Sequence, residues 1–279
     1  MKSNSTALLA FLLATTLVAT VQKSSEAAEL IADKNLQAAI KDVLKKGPKD
    51  ALKETDLKDV FILKARRKNI VSLAGLEKCT NLALLDLAGN QVSDLKPLAG
   101  LTNLQSLDLS GNAVSDISPL AKLTKLQYLQ LADNKITRLD GLKGLSKLTA
   151  LYLANNAVQS VKPLAGLAKL SSLDLSGNKV TDISPLAKLK WISSLDLRNN
   201  SISNLKPLAG MTELRYTLLQ GNKITDLSTL VSMAEKDMKG ERRFAPYWRV
   251  YLGNNPLNAA AKSKQIAALT KLGVRVNLN

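Results

Sequence analysis

The chain has 279 residues, 46% hydrophobic but only 4% aromatic, with 39 Lys+Arg against 23 Asp+Glu and a formal net charge of +16. It has no histidine and a single cysteine, which excludes Ser-His-Asp and Cys-His catalysis, a cysteine-cluster metal site and an internal disulfide. The apolar fraction is too high for a disordered polycation, so the core has to be built from leucine and its relatives.

Residues 1–27 read as a secretory signal. Lys2 precedes an apolar run from Ala7 to Val21, and Ser25-Glu26-Ala27 places small residues at −3 and −1 of a cleavage site. The run is shorter than the roughly 18–20 residues a spanning helix needs; an uncleaved anchor is the alternative. No later segment reads as transmembrane. Export to the periplasm, the cell surface or the medium is the expectation.

Residues 28–68 read as a helical N-terminal cap and a degenerate first coil. The stretch 33–46 sets Leu36, Ile40, Val43 and Leu44 at helical spacing, with Asp33 as N-cap and Gly47-Pro48 as a stop. Lys68 stands where later coils have asparagine. The KARRK run (64–68) is either a solvated strand edge or an anion contact.

From 69 to 257 a 22-residue period organises the chain. LALLDLAGNQVSDLKPLAGLTN (82–103) is followed by LQSLDLSGNAVSDISPLAKLTK (104–125), and further copies run to 230. Asn90, Asn112, Asn134, Asn156, Asn178, Asn200 and Asn222 are each 22 apart, and Asn255 closes the series 33 residues later. In LxxLxL the leucines point inward and the intervening residues outward, so each copy predicts one short strand and parallel stacking builds a ladder. An asparagine amide donates and accepts, so this column is expected to bond backbone of adjacent turns. Proline seven positions on suits short helical or irregular convex structure. An insertion at about 234–247 contains ERRFAPYWR, whose aromatics either seal the last coil or contact a glycan or protein loop. Residues 258–279 read as a helix-strand C-terminal cap, with a helix around 259–272 and the alternating VRVNL as its strand. The fold class is therefore α/β, a right-handed solenoid with one parallel strand per coil, capped at both ends.

This pattern resembles the bacterial internalin-type leucine-rich repeats. The carriers are the 22-residue period, the DIxPLAxL half-repeats (Asp116 to Leu123, Asp182 to Leu189), the lead-in GLEKCTNL (75–82) and the helical IADKNLQAAIKDVL before it. The resemblance implies recognition of a protein partner on a concave face. The chain shows no cell-wall sorting tail and no immunoglobulin-like module, so a host-invasion role is not implied.

Outward residues lie six, four and two positions before each Asn. Nine strands at about 4.8 Å make a surface roughly 40 Å long, suited to a protein or extended peptide. Asp86, Asp108, Gln130, Tyr152, Asp174, Asp196 and Tyr251 fall in the middle row, Tyr128 and Tyr216 in the row before it, and Arg198 in the row after. They are either a ligand strip, with tyrosines as stiff amphipathic anchors, or strand residues tolerated on an open face. Asp86 and Asp108 sit one strand apart with no pocket implied, so neither catalysis nor a calcium site is read there. Cys79 takes a leucine slot and reads as a buried small hydrophobe. Thr217 replaces a strand leucine and suggests a local distortion; Trp191 reads as partly exposed. The expected function is an exported, non-enzymatic, monomeric binding module with no cofactor and no nucleic acid. The alternatives are adhesion to an anionic envelope polymer through the basic ends, or a structural surface protein.

Overall fold

The computed structural model describes residues 29–279; the signal-like segment 1–27 lies outside the described residues. Ten strands follow in chain order: β1 Ile62–Lys64, β2 Leu84–Asp86, β3 Ser106–Asp108, β4 Tyr128–Gln130, β5 Ala150–Tyr152, β6 Ser172–Asp174, β7 Ser194–Asp196, β8 Tyr216–Leu218, β9 Arg249–Tyr251 and β10 Arg275–Asn277. They form one parallel sheet in sequential order, unclosed at both ends. From β1 to β8 each residue pairs with the one 22 positions on, as in Leu85↔Leu107 and Leu151↔Leu173. Nine strands are legible from the repeat; the tenth comes from VRVNL, which adds itself beside β9.

The strand centres Leu63, Leu85, Leu107, Leu129, Leu151, Leu173 and Leu195 are buried, as are Ala65 and, in the later coils, the leucines two positions further on. Across the coil, short 3-10 turns such as Ser118–Lys122 and Ser184–Lys188 carry proline at their start, where its fixed φ costs nothing. The aspartate of each DIxP half-repeat caps its own turn. Asp116 Oδ1 accepts from Ser118 N at 2.8 Å, and Asp182 Oδ1 accepts from Ser184 N at 2.8 Å, an N-terminal capping bond made by a side chain two residues earlier.

Between strand and asparagine the chain reverses through a left-handed residue. The position before each Asn has positive φ: Gly89, Gly111, Asp133, Asn155, Gly177, Asn199, Gly221 and Asn254. Glycine, asparagine and aspartate are the residues that tolerate this region. Each asparagine then bonds in three directions. Asn134 Oδ1 accepts from Val114 N at 2.9 Å, while its amide donates to Leu109 O at 2.9 Å and Leu131 O at 3.1 Å. The same geometry runs through Asn90, Asn112, Asn156, Asn178, Asn200 and Asn222. Asn255 keeps it across the insertion, accepting from Ile224 N at 3.1 Å.

Both ends are covered. Helix α1 (Lys34–Val43) buries Leu36 and Ile40. Its N-cap Asp33 accepts from Asn35 N and Leu36 N through one oxygen, and from Val71 N and Ser72 N through the other, tying cap to first coil. A four-residue helix, α2 (Glu54–Leu57), precedes β1. At the far end a longer helix, α3 (Ser228–Lys239), replaces the 3-10 turn. A π-turn at Ala261–Gln265 leads into α4 (Ile266–Lys271). Cys79 is fully buried in its leucine slot, and burial pushes its thiol up to about 12.

The insertion is held by two buried side chains. Asp237, at the end of α3, accepts from Arg243 N, Phe244 N and Ala245 N at 2.8, 3.2 and 2.9 Å. Trp248 is fully buried, lies edge-on to Phe244 at 5.2 Å, and donates its indole N–H to Thr217 Oγ1 at 2.8 Å. Thr217 is thus no distortion: it pairs in register with β7 and β9 and exists to satisfy the tryptophan.

Candidate functional site

The outward rows follow from strand register. The row six before each Asn carries Tyr128, Tyr216 and Arg249; the row four before carries Asp86, Asp108, Gln130, Tyr152, Asp174, Asp196 and Tyr251. Every acid or amide of that second row with a free backbone N–H two residues on also closes its own turn. Asp86 accepts from Ala88 N at 3.2 Å, Asp108 from Ser110 N at 2.9 Å, Gln130 from Ala132 N at 3.0 Å, Asp174 from Ser176 N at 2.8 Å and Asp196 from Arg198 N at 3.0 Å. One oxygen of each is therefore committed to local structure. This role was invisible as spacing because a turn bond needs only i and i+2, which every copy supplies.

The second oxygens differ along the row. Arg66 reaches across two strands to bind both Asp86 and Asp108, the latter at 2.8 Å. It does not stand at an open edge as a free cation. Asp196 is gripped by its neighbour: Arg198 Nε lies 2.9 Å and its terminal nitrogen 2.6 Å from Oδ2. Arg198 is therefore a counter-ion before it is a ligand contact. Asp174 alone among these aspartates has no cation bound to it among the described residues. Its Oδ1 takes the Ser176 N–H and hydroxyl, the latter at 2.7 Å, and Oδ2 has no protein donor. Burial pushes the Asp174 carboxyl above the usual carboxylate range; the Ser176 bonds and the nearby Arg198 charge oppose the shift, and the charge of Asp196 adds to it.

Next to it sit the tyrosines. Tyr152 pairs directly with Asp174 across β5 and β6, and its ring packs on Tyr128 with centroids 5.6 Å apart and planes tilted by 49°. Tyr128 is 36% exposed, and burial raises its phenol pKa, with Asp108 contributing. Tyr128, Tyr152 and Asp174 thus form a contiguous patch in the middle of the strand face: two tilted rings in contact beside a carboxylate with no cation bonded to it among the described residues. Tyr216 and Tyr251 lie two and three strands beyond Asp174 and belong to a different neighbourhood. Trp191 is 60% exposed and stands apart from both.

A charge held in a setting that disfavours it destabilises the fold at neutral pH. The folded pKa of Asp174 is raised, so the folded state binds its proton more tightly and stability falls as pH rises through the carboxylate range. Asp174→Asn keeps the acceptor for Ser176 and removes the charge. We expect its Tm at pH 7 to exceed that of the parent by about 1–2 °C, the gap narrowing as pH falls through about 4, where the parent carboxyl becomes protonated in both states. Paired thermal melts at pH 7 and pH 3.5 check this; a lower Tm for the variant at pH 7 would contradict it.

Chemically the patch offers ring faces, phenol hydroxyls and one carboxylate on an open surface. Among the described residues no group of three His, Cys, Asp or Glu side chains could hold a metal ion, and no helix is long and apolar enough to cross a membrane.

Comparison with known proteins agrees with this architecture. The family model described as leucine-rich repeats in two copies matches residues 102–144 and 146–188. The chain is similar to an internalin, InlF, of Listeria monocytogenes, with a TM-score of 0.78 and 30% identity over 88% of this chain and 71% of that one. It is similar also to internalin C2 of the same organism, with a TM-score of 0.71 and 36% identity over 73% of this chain and 91% of that one. A plant peptide hormone receptor, RGFR1, solved in complex with RGF2, shares the fold alone: 22% identity and a TM-score of 0.58, over 73% of this chain and 33% of the receptor. No curated protein matches the chain.

Proposed function

This chain belongs to the internalin-like family of bacterial leucine-rich repeat proteins, and from that premise we propose that it is an exported, non-enzymatic binding module. Its ligand is a protein or extended peptide lying along the concave strand face, with Tyr128, Tyr152 and Asp174 at the centre of the contact. The observation that carries this reading is Asp174. Among the described residues it is the one middle-row aspartate without a bonded cation, while Asp86, Asp108 and Asp196 each have one, and it sits beside a tilted tyrosine pair. A Lys or Arg from the partner would supply the missing counter-charge. The rings would supply stiff contact area at low entropic cost, as at protein hot spots. The signal-like residues 1–27 support export, and the peptide complex of the distantly similar plant receptor supports a polypeptide ligand.

The triple variant Tyr128→Ala, Tyr152→Ala, Asp174→Asn tests it. Immobilised parent and variant are exposed to soluble extracts and envelope polymers at low and high salt. Capture of a polypeptide by the parent should fall at least tenfold in the variant, because losing two anchors and a charge pair exceeds 1.4 kcal/mol. A folded variant that captures as well as the parent removes the concave face from consideration.

A further inference from the structure

The C-terminal end of the same face carries a second, oppositely charged feature. Arg215, Tyr216, Pro246, Tyr247, Arg249 and Arg275 line an open pocket of about 520 Å³. Three elements build it. Tyr216, Arg249 and Arg275 are cross-strand neighbours on β8, β9 and β10; Arg215 precedes β8; Pro246 and Tyr247 come from the insertion. Two of the three guanidinium groups lie over ring faces, Arg215 at 4.9 Å from the Tyr247 centroid and Arg249 at 5.4 Å from that of Tyr216.

We propose that this pocket recognises carboxylates of an acidic polypeptide segment. None of the three guanidinium groups forms an ion pair or a side-chain hydrogen bond among the described residues, although the arginines elsewhere on this face, Arg66 and Arg198, are both paired. The nearest acid in sequence, Glu213, is taken by Arg243. Arg249 and Arg275 stand directly opposite each other on adjacent strands, an arrangement of like charges that destabilises a sheet. An anion between them turns that repulsion into attraction. Stacking on a ring fixes the guanidinium plane and leaves its N–H edge free, which is the presentation that suits a bidentate carboxylate. The aromatic faces and Pro246 add apolar contact for the methylenes of Glu.

Charge along the face argues for a polypeptide rather than a polyanion. Asp174 on β6 lies three strands from Arg249, about 14 Å away. A uniformly anionic polymer extended along the face would leave the arginines and meet the Asp174 carboxylate, which has no cation bonded to it among the described residues. A polypeptide places acids at one end and other side chains at the next. The pocket shares no residue with the Tyr128–Asp174 patch and does not need a ligand bound there; only the choice of polypeptide over polymer uses the Asp174 charge.

The probe is fluorescein-labelled hexaglutamate, with hexaglutamine and polyphosphate as comparators, followed by anisotropy on the full chain at 50 and 300 mM salt. Hexaglutamate should bind more tightly than hexaglutamine and weaken with salt. Arg249→Gln with Arg275→Gln should weaken it at least tenfold. Lys122→Gln with Lys188→Gln removes the same charge from the convex turns and should change binding less than twofold. Tyr247, 62% exposed, can be replaced without touching the core, so Tyr247→Ala guards against a misfolded arginine variant and should weaken binding about threefold. Equal losses in the arginine and lysine variants would reduce the effect to net charge and overturn the proposal. So would failure of hexaglutamate to exceed hexaglutamine, and so would tight polyphosphate binding without hexaglutamate binding, which assigns the pocket to a polymer.

Discussion

Trp248→Ala should lower the unfolding free energy by about 3–5 kcal/mol, the range for deleting a fully buried large aromatic. The indole is surrounded completely, packs edge-on to Phe244, and spends its N–H on Thr217. Removing it opens a cavity where the insertion folds back on the last repeats, and it leaves a fully buried hydroxyl without its donor. In a solenoid each coil contacts only its neighbours, so the damage stays local. Backbone amides of β8, β9 and β10 should lose exchange protection while those of β3 to β5 keep theirs. Trp248→Phe preserves much of the bulk and forfeits the hydrogen bond, at a cost of about 1–2 kcal/mol. Urea unfolding of both variants, with hydrogen exchange resolved by segment, checks the prediction. A Trp248→Ala variant within about 1 kcal/mol of the parent would mean that the insertion is not what seals the stack.

The contrast between Thr217 and Leu85 explains which parts of the molecule were legible in sequence. Leu85 belongs to a one-dimensional code: a period of 22 states where its strand begins, which way its side chain points and what lies beside it. Strand positions β1 to β9, the buried leucines and the left-handed turns all descend from that code. Thr217 looked like an error in the code, because its reason, Trp248, lies 31 residues away across an insertion that breaks the period. Arg66 was obscure for a related cause. Its partners are one and two coils ahead, and a side chain that crosses strands diagonally leaves no trace in the spacing of any one row. The middle-row aspartates were visible as a column, yet their division into neutralised members and the single unpaired Asp174 depends on which arginines arrive from the next row. The C-terminal arginines were hardest, since Arg275 sits on a strand the period does not index and Arg215 lies just before its strand.

Net charge shows the same limit. Residues 28–68 carry 11 basic and 7 acidic side chains, and residues 233–279 carry 9 and 3, so both ends look like anion contacts by composition. Structure separates them. The N-terminal Arg66 is spent on Asp86 and Asp108, while Arg215, Arg249 and Arg275 pair with no acid among the described residues. The strand face is therefore polarised along its length, with acid in the middle and unpaired base toward β10. That gradient is a property of register and pairing, and it sets the orientation in which a mixed-charge ligand would lie.

Asn178→Ala should cost about 3 kcal/mol, because the ladder amide serves groups that nothing else can reach. Asn178 is buried; its Oδ1 accepts from Val158 N at 2.9 Å, and its amide donates to Leu153 O, Leu175 O and Ser176 O at 2.9, 3.0 and 3.2 Å. Alanine leaves a backbone donor and at least two carbonyls without this partner, each buried orphan costing about 1–3 kcal/mol less whatever water recovers. Asn178→Asp is the sharper comparison. An ionised carboxylate still accepts from Val158 N but faces three carbonyl oxygens with no proton to give, so at pH 7 it should be at least as damaging as alanine. Asn103→Ala supplies the baseline: that half-buried side chain donates to Thr80 O at 3.0 Å and accepts from Lys125 Nζ at 2.7 Å, partners that water can reach, and its loss should stay within about 1 kcal/mol. Because the two coils that Asn178 joins also position Tyr152 and Asp174, a destabilised ladder there should loosen the tyrosine patch before it affects the arginine pocket, and hydrogen exchange at β5 and β6 should report it. A cost below about 1 kcal/mol at Asn178 would mean that apolar stacking alone holds adjacent coils in register.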